Sequence, residues 1–249
     1  YFMSNYFYIQ HPTKGRMLYE PFDYQKRLIH TYHNYRFSIS LMPRQTGKST
    51  SAAGYLLWYA MFVPDSTILI AAHKFTGSQE IMQRIRYAYE SVPDFIRAGA
   101  VSYNKGSSDF DNGSRIVSAT TTETTGRGMS ISLLYCDEFA FVPNNMQEEF
   151  FMSVYPTISS GKSSKVVITS TPNGLNMFYK LWKESEEGRN DYKRVDVHWS
   201  QVPGRDEAWK NETIRNTSEE QFRQEFETEF IGSSATLISG AKLRSLAFH

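Results

Sequence analysis

The residues Met42-Pro43-Arg44-Gln45-Thr46-Gly47-Lys48-Ser49-Thr50 restrict this chain to few folds, because the segments on either side of them suit two different elements. Phe37 to Met42 is a short apolar run suited to a buried strand, and Ser49 to Val63 is apolar on a helical period and stops at Pro64. At such a strand-to-helix junction, a Gly-Lys-Ser lets backbone N–H groups wrap a polyphosphate at a helix N-terminus. The lysine then meets the outer phosphates and the hydroxyl holds magnesium. One departure stands out: Met42, followed by Pro43, occupies the position five residues before Gly47 where a first glycine is usual.

Far downstream, Ile131-Ser132-Leu133-Leu134-Tyr135-Cys136 reads as a second buried strand that delivers Asp137 and Glu138 at its carboxyl end. Open parallel sheets bind ligands at that edge. Asp137 suits the magnesium shell, and Glu138 suits a base that orients and deprotonates an attacking water. Gly-Lys-Ser alone, or an acidic pair alone, is common surface chemistry. The two in this order, each after a strand, imply nucleotide hydrolysis with ATP as substrate and Mg2+ as cofactor.

The rest of the chain alternates in the same way. A helix is expected from Tyr24 to His33, a strand over Thr67 to Ala72, a helix over Gly77 to Ser91 and a strand over Lys165 to Ser170. Ser107 to Ile116 alternates around Asn112-Gly113 and predicts a hairpin that extends one sheet edge. Thr120 to Gly128 is a polar, glycine-flanked loop holding Arg127. A helix is expected from Asn145 to Val154, a strand over Tyr192 to Trp199, and helix from Asp206 to Phe230 with a break near Asn216-Thr217-Ser218. From Gly232 onward the composition is that of a linker. The expected fold class is α/β, a three-layer sandwich with a mainly parallel central sheet, an antiparallel edge hairpin and a small C-terminal helical and linker segment. Residues 1–205 form the core and residues 206–249 the appendage.

Two further segments sit where a nucleotide could be read. In Phe22-Asp23-Tyr24-Gln25, the glutamine can pair with both edges of an adenine and the tyrosine can stack on it, or Tyr24 can simply pack. Thr171-Pro172-Asn173-Gly174 follows the strand beside the acidic pair. Its hydroxyl and amide can sense a γ-phosphate, though an ordinary strand-to-helix turn uses the same residue types.

Composition sets outer bounds. The chain has 249 residues, one cysteine (Cys136) and a formal net charge of +1, so an internal disulfide is excluded and any nucleic-acid contact must be a local basic patch. Lys74, Arg84, Arg86, Lys162 and Lys165 are the candidates for such a patch. No apolar stretch reaches the length needed to cross a bilayer, so no membrane partner and a reducing cytoplasm are expected.

Arg44 to Ser49, Tyr135-Cys136-Asp137-Glu138-Phe139-Ala140-Phe141 and Ser170 to Gly174 together resemble the ATPase motor domain of the large terminase subunit of tailed double-stranded DNA bacteriophages, and the likeness covers nearly the whole chain. The resemblance implies a P-loop NTPase fold of the ASCE type. It places Lys48 and Ser49 on phosphate and magnesium, Asp137 as metal carboxylate, Glu138 as catalytic base, Thr171, Pro172 and Asn173 in a coupling motif, and Tyr24 and Gln25 at the adenine. Arg44 in cis and Arg127 offered in trans by an adjacent subunit compete for the transition-state charge, with Arg127 favoured. By the same resemblance the partners are double-stranded DNA, the portal protein, the small terminase subunit and further copies in a ring, pentameric in that family. The setting is the cytoplasm of the infected bacterial host, outside the finished virion. No acidic cluster follows Glu229, so no nuclease activity is expected of this chain, which reads as the motor half of a longer protein. Two other readings are a helicase or restriction-type DNA translocase, which Ala72-His73-Lys74 and Ser170-Thr171-Pro172 also resemble, and a nucleotide-gated binding module without turnover.

Overall fold

Strands without polar alternation need cover on both faces, and the chain supplies helices for each. The computed structural model describes residues 1–232. It opens with α1 (Phe2–Tyr6), a hairpin of β1 (Tyr8–His11) and β2 (Gly15–Leu18), and α2 (Asp23–Asn34). Then come β3 (Phe37–Leu41), α3 (Lys48–Phe62), β4 (Thr67–Ala72) and α4 (Phe75–Tyr89). A three-strand stretch follows, β5 (Ala100–Tyr103), β6 (Ser107–Phe110) and β7 (Arg115–Thr120), and then β8 (Leu133–Asp137) and α5 (Asn144–Ser159). The chain continues with β9 (Lys165–Ser170), α6 (Met177–Glu186), β10 (Lys193–Asp196), α7 (Glu207–Asn216) and α8 (Glu219–Glu225).

Eight strands form one sheet in the order β10-β3-β9-β8-β4-β7-β6-β5. From β10 to β7 every pairing is parallel, and β6 and β5 add an antiparallel edge. The strand carrying the acidic pair, β8, is separated from the phosphate-loop strand β3 by β9. Thus Leu41, Ser170 and Asp137 arrive together at the carboxyl edge, through the registers Leu41↔Ser170 and Asp137↔Thr169. One apolar layer joins α1 to α4 with the face bearing Ile68, Ile70, Leu133, Tyr135 and Val167. The other joins α5 and α6 with the face bearing Leu69, Leu134, Cys136 and Ile168. Among the described residues no helix is long and apolar enough to cross a membrane.

The structure differs from the sequence expectation in a few places. The Asn112-Gly113 turn does join antiparallel strands, but β7 also pairs in parallel with β4 and so belongs to the core. Helix α5 runs beyond Val154 and through Pro156 to Ser159. Its end is held by buried Ile158 and by the Arg36 guanidinium, which donates to the carbonyls of Ile158 (3.3 Å) and Gly161 (2.8 Å). The last core strand is only Lys193–Asp196, because the chain turns into a short 3-10 segment, Trp199–Gln201, pinned by the buried Trp199 ring. The break near Asn216 is present, with Ser218 capping α8 by accepting from the Gln221 N–H. The linker expected beyond Gly232 lies outside the described residues.

Lys165, counted above among candidate DNA contacts, has another task. Its ammonium donates to the carbonyls of Tyr32 (3.1 Å), His33 (2.7 Å) and Tyr35 (3.0 Å), closing the carboxyl end of α2. Lysine is favourable at that pole because the unsatisfied carbonyls there concentrate negative charge. Lys165→Met, which keeps the apolar stem, is expected to lower stability by about 1–2 kcal/mol. Urea unfolding would show the loss, and an unchanged midpoint would sink the assignment.

Candidate active site

The phosphate loop is built with its carbonyls facing away from its concave side. Pro43 O accepts from Thr46 Oγ1 (3.0 Å), and Arg44 O and Gln45 O accept from Arg205 Nη2 (2.9 and 3.3 Å). Thr46 O accepts from Tyr24 OH (3.0 Å) and Gln25 Nε2 (2.9 Å), and Gly47 O accepts from Ser51 N (2.9 Å) and Ser51 Oγ (3.0 Å). Each carbonyl from Pro43 to Gly47 thus has a protein partner, whereas among the described residues the N–H groups of Gln45, Thr46 and Gly47 donate to no protein acceptor. A run of free amides at the start of a helix is an anion nest.

The unusual start of the loop follows from the sheet. Met42 is fully buried, and its N–H donates to Ser170 O at 3.1 Å, so it continues the β3 ladder and fills the core. The left-handed turns fall instead at Gln45 (φ 57°) and Gly47 (φ 73°). Glycine suits position 47 because its left-handed backbone strains other residues, and a Cβ there would also displace Gln25 Nε2, 2.6 Å away, from its bond to the loop.

Opposite the loop, Lys48 Nζ lies 2.5 Å from Glu138 Oε1, and Ser49 Oγ donates to Asp137 Oδ1 at 3.4 Å. Glu138 is itself in the left-handed region (φ 48°), a conformation that costs a non-glycine residue energy and turns its carboxylate back over the site. There Oε2 accepts from Thr171 N (3.3 Å), Thr171 Oγ1 (3.3 Å) and Ser170 Oγ (3.4 Å). Burial alone would raise the Glu138 pKa, but the Lys48 ammonium and the Thr171 donors outweigh it and hold the group below the usual glutamate range. Burial first, and the Glu138 charge second, push Asp137 the other way, above the usual aspartate range. Ser49 and Asp137 present hard oxygen donors side by side, which fits a magnesium shell. The inward amides and Lys48 fit a polyphosphate.

The other expected residues divide. Thr171 reaches Glu138 directly, Pro172 O accepts from Gln224 Nε2 of α8 (3.2 Å), and Asn173 Nδ2 donates to Ala140 O (3.2 Å). The Thr171-Pro172-Asn173 segment therefore touches Glu138, α8 and the turn after Glu138. Tyr24 and Gln25 come to the loop as its buttress, each only 4% exposed, with the Tyr24 ring stacked on Phe22. Arg44 turns outward to Glu225 Oε1 (3.1 Å), and Thr50 Oγ1 accepts from Arg84 Nη1 (3.2 Å) at the side of α3. Arg127 is exposed. Its neighbour Gly126 sits against Leu69, Ile131 and Val154, where the loop crosses the α5 face well below the level of Asp137. Among the described residues the Arg127 side chain makes no hydrogen bond or ion pair with Lys48, Ser49, Asp137 or Glu138.

Sequence reasoning missed three contributors. Tyr135 shares a sheet face with Asp137 by strand alternation, a signal that was available. Thr169 and Arg205 gave none, since only strand register and the packing of Arg205 over Trp209 (4.7 Å) and Phe226 (5.4 Å) bring them in.

Residues 39–245 match the family model described as terminase large subunit, T4likevirus-type, N-terminal. A terminase large subunit of Thermus virus P23-45 is 25% identical over 234 residues, covering 81% of this chain and 47% of that protein. The chain therefore spans about half the length of that relative. The large terminase ATPase domain of Thermus phage P74-26 shares the fold with a TM-score of 0.68 at 21% identity, covering 85% of this chain and 94% of that one. The large terminase of another thermophilic bacteriophage, solved in complex with ATP-γ-S, shares it with a TM-score of 0.64 at 11% identity, over 84% of this chain and 53% of that one.

Proposed function

The chain belongs to the terminase large-subunit family, within that family's N-terminal region, and on that premise we propose that it is a magnesium-dependent ATP hydrolase that drives duplex DNA into a procapsid. The observation that carries the chemistry is the loop whose carbonyls are all tied back while its amides take no protein acceptor among the described residues, with Lys48 against Glu138 and Ser49 against Asp137. In this reading the loop amides and Lys48 hold the β- and γ-phosphates of ATP, and Ser49 and Asp137 hold magnesium. Bound there, the metal would supply neutralisation of phosphate charge. Glu138, oriented by Thr171 and Ser170, positions the attacking water and accepts its proton.

Coupling to movement runs through contacts that meet at the loop. Thr171 reports on Glu138, Gln224 grips Pro172 O, and Glu225 grips Arg44 while its carbonyl takes the Arg44 N–H (3.1 Å). A change in the site thus reaches α8 by two routes. Duplex DNA, the portal protein, the small terminase subunit and a homo-oligomeric ring are the partners we propose with this motor role, with Lys74, Arg84 and Lys162 among the exposed cations that could contact phosphates. Nuclease activity is not proposed for this chain.

The test is ATP turnover with Mg2+ across protein concentration, with and without duplex DNA. Turnover per molecule is expected to rise with concentration and with DNA, and the DNA effect to fade as salt rises. ATP binding without turnover under any of these conditions would leave a nucleotide-gated binding module in place of a motor.

A further inference from the structure

The metal carboxylate is held from behind by two buried hydroxyls that the reaction itself does not use. Tyr135 OH donates to Asp137 Oδ1 at 2.9 Å and Thr169 Oγ1 donates to the same oxygen at 3.2 Å, with the two hydroxyls 3.0 Å from each other. All three side chains lie on the α3 face of the sheet, Tyr135 two residues before Asp137 on β8 and Thr169 beside Asp137 in the β8–β9 register. Tyr135 and Thr169 are fully buried and Asp137 is 7% exposed. Ser49 Oγ is the third donor to Oδ1, while among the described residues Oδ2 takes no protein hydrogen bond.

We propose that Tyr135 and Thr169 are positioning residues that fix the rotation of the Asp137 carboxylate, so that it meets the Ser49 hydroxyl and the magnesium shell without rearranging. A carboxylate turns about a soft terminal torsion with a broad minimum, so its own rotamer preference does little to orient it. Two donors on one oxygen, each anchored in the close-packed sheet face, remove that freedom. Serine and threonine at the β9 position would serve alike, whereas valine would fill the space and donate nothing. Phenylalanine in place of Tyr135 likewise keeps the ring and deletes the donor.

This proposal rests on the nucleotide reading above, and the experiment separates the two. The affinity of a fluorescent ADP is measured by titration with and without Mg2+ for the wild type, Tyr135→Phe, Thr169→Val and Thr169→Ser, alongside thermal unfolding of each. In the wild type Mg2+ should strengthen ADP binding. In Tyr135→Phe and Thr169→Val the Mg2+ concentration for half-maximal strengthening should rise about tenfold, as expected for loss of a hydrogen bond to a charged group. Metal-free ADP affinity should stay as in the wild type, and Thr169→Ser should restore the magnesium response. If both deletions keep the wild-type magnesium response, or lose metal-free affinity by the same factor, the positioning role is overturned while the nucleotide site stands. If the wild type binds no ADP, the nucleotide reading falls and this one with it. Should Tyr135→Phe fail to fold, the contrast between valine and serine at 169 decides alone.

Discussion

Glu138→Gln is expected to cut ATP turnover by about a hundred- to ten-thousandfold, the usual contribution of a positioned base, while ATP binding is kept or tightened. The asymmetry comes from two contacts of one side chain. The glutamine amide oxygen can still accept from Thr171 N and Thr171 Oγ1, so the left-handed turn at residue 138 and the coupling segment keep their geometry. It can neither take a proton at neutral pH nor hold the Lys48 ammonium, which stands 2.5 Å from Glu138 Oε1. A lysine that serves the phosphates has to give up that carboxylate, so removing the rival charge favours nucleotide. The same exchange bears on catalysis. The Lys48 charge is a main reason the Glu138 pKa is held low, so transfer of Lys48 to phosphate makes Glu138 a stronger base at the moment a water needs one. Steady-state turnover and equilibrium ATP binding, measured on the same preparations, check both halves. Turnover within tenfold of wild type would remove Glu138 as the base.

The second large effect is expected at Arg127, whose replacement by alanine should lower turnover about a thousandfold, the scale of an arginine finger. Its place in the fold argues for action between subunits. Arg127 is exposed in a loop packed on the α5 face, and its own site is lined by other residues. Arg44, the rival in cis, is paired with Glu225 and points away from the inward amides. A mixing experiment tests the difference. In an assembly of Arg127→Ala and Glu138→Gln proteins, some junctions contain an intact Glu138 facing an intact Arg127, so the mixture should regain turnover that neither variant shows alone. If Arg127→Ala is slow and mixing restores nothing, the arginine does not act in trans. Wild-type turnover in Arg127→Ala would remove its role altogether.

Much of this was legible without coordinates, because it depends on local periodicity and on chemistry at element ends. The Phe37 run, the Gly47-Lys48-Ser49 junction and the apolar strand ending in Asp137-Glu138 predict parallel strands whose carboxyl ends share one edge, and the fold places them there. The α1 helix, the β1–β2 hairpin and α6 were not legible, since short elements with few apolar positions leave a weak period.

What the sequence determined by itself is the set of candidate reacting groups and their order along the chain. Backbone amides, Lys48, Ser49, Asp137 and Glu138 follow from residue type at strand and helix ends. The tertiary structure alone decided which groups restrain them. Lys165 became a cap for α2, and Arg205 became the anchor of the loop carbonyls. Tyr24 and Gln25 lie beneath the loop, and Thr169 joins Tyr135 on the Asp137 carboxylate. Each of these contacts is made between segments distant in sequence or on different strands, where register and packing, and not residue type, select the partner.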